Sequence, residues 1–219
     1  MIKMHLGSTD FKSAYIKYLK EPIYRHGKVF PRFRGVEFFE KFEDFEYTNS
    51  KLNGFNGDIW FISDHHFNHK NIIRFSERPF RDLDHMENML VEQHNDMVKD
   101  DDIVIIVGDF GFCGTTEGKR ILQRMNGYKI FIVGNHDVYH GKFKNFGYNE
   151  VYICLPLLYN DIQMIISHYP CNKFDNDLLN VHGHVHVGRA LEDGFDNHFN
   201  VNCEFINYTP IHIDKIGNK

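Results

Sequence analysis

Aspartates, histidines and one asparagine recur in this chain just after apolar runs. Asp64 and His66 follow Ile59-Trp60-Phe61-Ile62, and Asp109 follows residues 103–107 through Gly108. Asn135, His136 and Asp137 follow residues 129–133 through Gly134. His168 follows residues 162–167, and His184 and His186 follow residues 178–181 through His182 and Gly183. The donors in this set are oxygen and nitrogen only. Such a set suits Mn²⁺, Fe, Co²⁺, Ni²⁺ or Zn²⁺ in an open site, and not a cysteine-based structural zinc. Roughly four protein ligands per ion would leave positions for water and a substrate. Taken singly, each cluster has an ordinary reading. Asp64 reads as a helix cap, Asn135-His136-Asp137 as a turn, and His184 with His186 as one face of a surface strand. The recurrence at five strand ends carries the metal reading.

The elements that must position these residues alternate. Short apolar runs bounded by turn residues read as buried strands at 59–63, 103–107, 129–133, 151–154, 162–167 and 178–181. Two late strands are expected near 199–203 and 211–214. Helices are expected near 70–75, over 82–98, where Leu83, Met86, Leu90 and Met97 fall near helical spacing, and from Thr115 or Thr116 to about Met125. Asp100-Asp101-Asp102 reads as a solvated turn. Alternation early and strands late predict an α/β fold with sheets of mixed direction flanked by helices. Ligands then gather at the carboxyl ends of strands, as in open α/β sheets generally.

Composition narrows the class. A net charge of −5 argues against a general affinity for long nucleic acid or an anionic membrane. Cys113, Cys154, Cys171 and Cys203 show no CxxC spacing and read as reduced thiols of a cytosol-like compartment. No apolar run approaches the ~18 residues of a membrane span. Met1-Ile2-Lys3-Met4-His5 lacks the apolar segment of a signal peptide, so a cytoplasmic chain is expected. The informative excess is 15 histidines, the commonest metal-ligating side chain at neutral pH.

The turn Asn53-Gly54-Phe55-Asn56-Gly57 divides an N-terminal extension, residues 1–57, from the main domain, 58–219. The extension opens with a helix expected over residues 10–19. It then carries Tyr24, Phe30, Phe33, Phe38, Phe39, Phe42, Phe45 and Tyr47. Each aromatic buries roughly 150–250 Å² when covered, so the segment is expected to pack on the catalytic domain, a second subunit or a partner.

The ordered blocks Asp64-x-His66, Gly108-Asp109, Gly134-Asn135-His136-Asp137, His168 and Gly183-His184-x-His186 resemble the calcineurin-like metallophosphoesterase superfamily. The flanking text, Ser63-Asp64-His65-His66-Phe67-Asn68-His69-Lys70 and Asn180-Val181-His182-Gly183-His184-Val185-His186, is similar to its small bacterial and bacteriophage members. The resemblance implies a layered sandwich of two mixed β-sheets flanked by helices, and two divalent metal ions, with Mn²⁺ first among the candidates. By the same resemblance Asp64, His66 and His186 hold one ion, Asn135, His168 and His184 hold the other, and Asp109 bridges them. Two divalent ions and two carboxylates leave about two positive charges to meet a phosphate. A hydroxide bridging the metals is the implied nucleophile. His136 would act as general acid or hydrogen-bond donor at the leaving group, with Asp137 orienting it.

The expected substrate is a small phosphate ester, a phosphodiester or phosphomonoester, with a nucleotide among the candidates. A nuclease-like or cyclic-nucleotide phosphodiesterase is the alternative within enzymes. A non-catalytic metal-binding scaffold is the alternative outside them, and it sits poorly with a chain that keeps every ligand and His136. His69, three residues past His66, can reach a substrate. Arg74, Arg78 and Arg81 follow the first block, and phosphate favours arginine's bidentate fork. Their other reading is a solvated face paired with Asp82 and Asp84. Cys171 lacks a base free of metal duty and reads as structural. His65 and His182 point away from the ligands if their segments are extended.

Overall fold

The structure, a computed structural model, describes residues 22–25, 28–31, 55–140, 142–170, 178–187 and 197–216. The helix expected over 10–19, most of the aromatic extension and Cys171 lie outside them. Within the extension Pro22–Arg25 (β1) and Lys28–Pro31 (β2) pair as an antiparallel hairpin.

From Ile59 the expected alternation appears. Ile59–Ile62 (β3) is followed by helices Lys70–Phe75 (α1) and Leu83–Met97 (α2). Ile103–Ile106 (β4), helix Thr115–Arg124 (α3), Tyr128–Ile132 (β5) and helix Asn135–His140 (α4) come next. Strands β3, β4 and β5 pair in parallel and in sequence order. Ile103, Ile105, Ile130 and Ile132 join one apolar cluster, and Val104, Ile106 and Phe131 join another. Both faces of these strands are covered, which is why they read as unbroken apolar runs. One cover is helical: Met86, Leu90 and Val91 of α2 and Ile121 and Leu122 of α3 pack against Val104 and Ile106. The Asp82 carboxylate caps α2, accepting from the His85 N–H at 2.8 Å.

The strand expected at 151–154 is two strands in two sheets. Glu150–Tyr152 (β6) extends the first sheet beside β5, and Cys154–Tyr159 (β7) opens the second, with Ile153 between them. β7 turns through Asn160 and Asp161, both at positive φ (47° and 63°), into the antiparallel strand Ile162–Ser167 (β8). Such a two-residue turn matches the twist of a hairpin. Leu179–His182 (β9) lies parallel beside β8 and His198–Asn200 (β10) parallel beside β9, and Ile211–His212 (β11) returns antiparallel to β3. The two mixed sheets therefore run β11-β3-β4-β5-β6 and β10-β9-β8-β7. Phe61, Ile105 and Ile132 meet Leu157, Met164, Ile166 and Val181 in the interior between them. The layered sandwich flanked by helices is thus observed. Among the described residues no helix is long and apolar enough to cross a membrane.

Asp102 departs from its solvated reading. It is buried, and its carboxylate accepts from the Trp60 indole N–H (3.0 Å) and the backbone N–H groups of Asp58 (2.8 Å) and Lys99 (2.9 Å). This fixes the start of β3 to the start of β4.

Candidate metal centre

The sheets stop where the donors begin. Asp64 (φ 57°), His66 (φ 53°), Asp109 (φ 52°) and His184 (φ 67°) all adopt the left-handed conformation, which costs roughly 1–3 kcal/mol for a non-glycine residue and survives only where the surroundings dictate it. Here they do. The Asp64 and His66 N–H groups donate to the carbonyls of Gly108 and Asp109 at 3.0 and 3.1 Å, so the loops after β3 and β4 are stitched together. Close approach demands glycine at Gly183, where a Cβ would lie 2.3 Å from Asp64 Oδ2, and at Gly134, where it would lie 2.3 Å from Asp109 Oδ1.

Asp64, His66, Asp109 and Asn135 leave the five-stranded sheet, and His168, His184 and His186 leave the four-stranded one. They meet. His66 Nε2 lies 3.3 Å from His186 Nε2, and each lies within 3.7 Å of Asp64 Oδ1. His168 Nε2 lies 3.4 Å from Asp109 Oδ2 and 3.0 Å from Asn135 Oδ1, which is 2.9 Å from His184 Nδ1. Two overlapping groups thus offer converging ligand atoms: Asp64, His66 and His186, and Asp64, Asp109 and His168. Tautomers are fixed from behind. His168 Nδ1 donates to the Val107 carbonyl at 2.9 Å, which turns Nε2 toward Asp109. The Asp64 Oδ2 oxygen accepts from Ser63 Oγ (2.5 Å) and the His184 N–H (2.9 Å), while Oδ1 is buried with no hydrogen bond, as is His66 Nδ1.

Buried acceptors facing one another call for positive charge among them. The titration balance agrees. Burial opposes charge on Asp64, but His66, His168 and His186 outweigh it and hold the carboxyl well below the usual carboxylate range. Asp109 is lowered too, with His168 the main counterweight to burial. Burial opposes charge on His168, but Asp109 wins and pushes its pKa up to about 10. Burial, then the charge of His168, drive His184 down to about 3 against Asp109 and Asp64, which leaves its imidazole neutral. The residues present therefore fit divalent cations bound by nitrogen and oxygen.

A family model for calcineurin-like phosphoesterases matches residues 57–214. The chain belongs to the calcineurin-like phosphoesterase family. This phosphoesterase is 37% identical over 166 residues to an uncharacterized protein of Methanocaldococcus jannaschii, an alignment that covers 72% of this chain and 88% of the relative. Its fold matches the crystal structure of a protein of unknown function from Aquifex aeolicus with a TM-score of 0.59 and 26% identity, over 73% of this chain and 97% of that one. Family membership implies a hydrolase of phosphoester bonds, and the two candidate ligand groups support a metal-dependent one.

The remaining sequence-predicted residues of the phosphoesterase fall in different places. His136 stands at the mouth, its side chain 38% exposed, its Nε2 3.9 Å from Asp109 Oδ2 and its ring 5.4 Å from that of His66. Burial lowers its pKa. His69 is half-buried, 5.5 Å from the His66 ring and 6.5 Å from that of His136, and burial lowers its pKa to about 4. Asp137 does not face the His136 imidazole. Its carboxylate accepts from the backbone N–H groups of Gly134 (2.7 Å), Asp109 (2.8 Å) and Phe110 (3.1 Å), tying the loop after β5 to the loop after β4. Burial, then the Asp109 charge, push its pKa up to about 7 against those donors. Arg78 is a correction. It is buried, donates to the carbonyls of Asp64 and His65 at 2.7 Å and pairs with Glu204 at 3.0 Å, so it braces the first ligand loop and offers no free fork to a phosphate. Arg74 is exposed with its guanidinium 5.3 Å from the Phe75 ring, and Arg81 is exposed. Among the described residues no hydrogen bond or ion pair joins either guanidinium to the ligands.

Sequence reasoning missed Glu204, which accepts from His186 Nδ1 at 2.8 Å, and Phe112, whose ring lies 4.4 Å from His69 and 5.1 Å from His136. For Glu204 the available signal was the polar break Asn202-Cys203-Glu204 after an apolar strand.

Proposed function

We propose that this phosphoesterase is a dinuclear metal-dependent phosphohydrolase acting on a small phosphodiester or phosphomonoester. The convergence of Asp64, His66, Asp109, Asn135, His168, His184 and His186 on one buried cluster, open on the His136 side, supports this reading. Asp64, His66 and His186 would hold one ion, Asn135, His168 and His184 the other, and Asp109 would serve both. Mn²⁺ is the ion proposed, and Fe, Ni²⁺, Co²⁺ or Zn²⁺ suit the same donors. When bound, such a pair supplies positive charge for phosphoryl oxygens and brings water's pKa near neutrality. The chain's own part is to hold the ester in line and manage the leaving group. His136, partly exposed with Nε2 3.9 Å from Asp109 Oδ2, gives a proton or a hydrogen bond to the departing oxygen. His69 flanks that path, and exposed Arg74 and Arg81 offer charge to an anionic substrate. The Phe112 ring between His69 and His136 favours an aromatic or nucleobase leaving group, as in a nuclease-like or cyclic-nucleotide phosphodiesterase.

The test is a panel of aryl phosphates, bis-aryl phosphodiesters and nucleotides with Mn²⁺, Ni²⁺ and Mg²⁺, run on the wild type and Asp109→Ala. Metal-dependent turnover is expected, with diesters equal to or above monoesters, and Asp109→Ala should lose both activity and bound metal. Asp109→Ala retaining two tightly bound ions by elemental analysis would defeat the assignment. Hydrolysis of monoesters alone would overturn the diester preference.

A further inference from the structure

We infer that Glu204 is a positioning residue for the metal centre: paired with Arg78 behind the ligands, it fixes the proton of His186 on Nδ1 and so commits Nε2 to metal. The inference rests on the metal reading above.

Three groups lie near His186 Nδ1. Ser76 Oγ is at 3.4 Å, Asn202 Nδ2 at 3.3 Å and Glu204 Oε1 at 2.8 Å. Only Glu204 offers a charged acceptor, and a carboxylate outcompetes a hydroxyl for an imidazole proton. The other Glu204 oxygen accepts from the N–H of Val187 at 3.1 Å. One carboxylate therefore holds both the ring of His186 and the backbone just after it. Glu204 and Arg78 are both shielded from solvent, with side chains 1% and 0% exposed.

Arg78 extends the hold across the site. Its Nε and one terminal nitrogen lie 3.0 Å from Glu204 Oε1, and its terminal nitrogens donate to the Asp64 and His65 carbonyls. Asp64 leaves the five-stranded sheet and His186 the four-stranded one, so the pair fixes two ligands of one ion relative to each other. A buried ion pair is a weak source of stability. Its placement directly behind two ligand segments argues for positioning instead. Carboxylate partners of metal-ligating histidines commonly act this way.

The test titrates Mn²⁺ alone into metal-stripped full-length protein by calorimetry, wild type against Glu204→Gln. Wild type should take two ions. Glu204→Gln should bind one of them about 10–100-fold more weakly and the other within about twofold. In wild-type protein without metal, long-range proton–nitrogen NMR of His186 should place its proton on Nδ1, and Glu204→Gln should populate the Nε2–H tautomer. A merely structural role would weaken both ions together and leave the tautomer alone. Glu204→Gln matching wild type for both ions, or the Nε2–H tautomer predominating in wild type, would overturn the inference. The spectrum tests it even if the variant fails to fold. A wild type that binds no Mn²⁺ would overturn the metal reading and this inference with it.

Discussion

Asp137→Asn is the most discriminating substitution in this chain. The carboxylate accepts three backbone N–H groups, two on Oδ2 and one, from Phe110, on Oδ1. Asparagine keeps the two bonds on one oxygen but puts an NH₂ against the Phe110 N–H. The loss is one charge-assisted hydrogen bond, about 1.5–3 kcal/mol, and a buried donor left facing a donor, about 1–3 kcal/mol. Relief of a charge buried beside Asp109 returns part of this, so a net loss of about 2–4 kcal/mol is expected. In a chain of this size each kcal/mol moves Tm by roughly 2–4 °C, so melting should fall by roughly 5–15 °C. The freed N–H belongs to Phe110, the residue after Asp109, so the loop that carries this carboxylate loosens. Mn²⁺ affinity should therefore fall as well. Thermal melts by circular dichroism and calorimetric Mn²⁺ titration read both. If Asp137 instead oriented His136, as the sequence suggests, turnover alone would drop while melting and Mn²⁺ binding stayed at wild-type values. That outcome would refute the bracing role.

His136→Ala should keep both ions by elemental analysis yet slow hydrolysis of esters with poor leaving groups by about 10²–10⁴-fold. The loss should shrink for a nitrophenyl ester, and an equal loss for both kinds of leaving group would exclude proton donation. Gly183→Ala drives a Cβ to within 2.3 Å of Asp64 Oδ2 and Ser63 Oγ, so it should weaken Mn²⁺ binding at least as much as it lowers Tm; unaltered affinity would contradict the close approach. His94 is buried on α2, and burial lowers its pKa from 6.5 to about 4. Between those values the unfolded chain takes up a proton that the folded chain refuses, so stability should fall as pH drops from 6.5 toward 4. Urea midpoints that do not change over this range would count against a buried neutral His94.

The candidate ligand cluster was legible because each chemical letter stands at the end of an apolar word, and strands of that kind deliver their ends to one edge. The supports were not, because their partners carry no letter of their own. Arg78 reads as a phosphate binder until its partners prove to be backbone carbonyls, and Asp137 reads as a partner for the adjacent imidazole until its partners prove to be amides. Glu204 meets His186 from 18 residues away, beyond any short spacing. The change of sheet at Ile153 lies in the apolar run Val151-Tyr152-Ile153-Cys154-Leu155-Pro156-Leu157, where no polar residue marks the crossing. Helix α2, capped by Asp82, and strands β3, β4 and β5, apolar on both faces, came close to their expected bounds because cap and apolar run declare themselves in sequence.

Dividing the ligands between two sheets makes the apolar interior a caliper. The 3.4 Å between His168 and Asp109 and the 3.6 Å between His186 and Asp64 are read across the sandwich. Phe61, Ile105 and Ile132 on one jaw and Leu157, Met164 and Ile166 on the other set the gap. Packed interiors transmit the removal of even one methylene. A drift in those aliphatic side chains can therefore retune which ion the jaws grip, through a lineage in which no metal-facing residue ever changes.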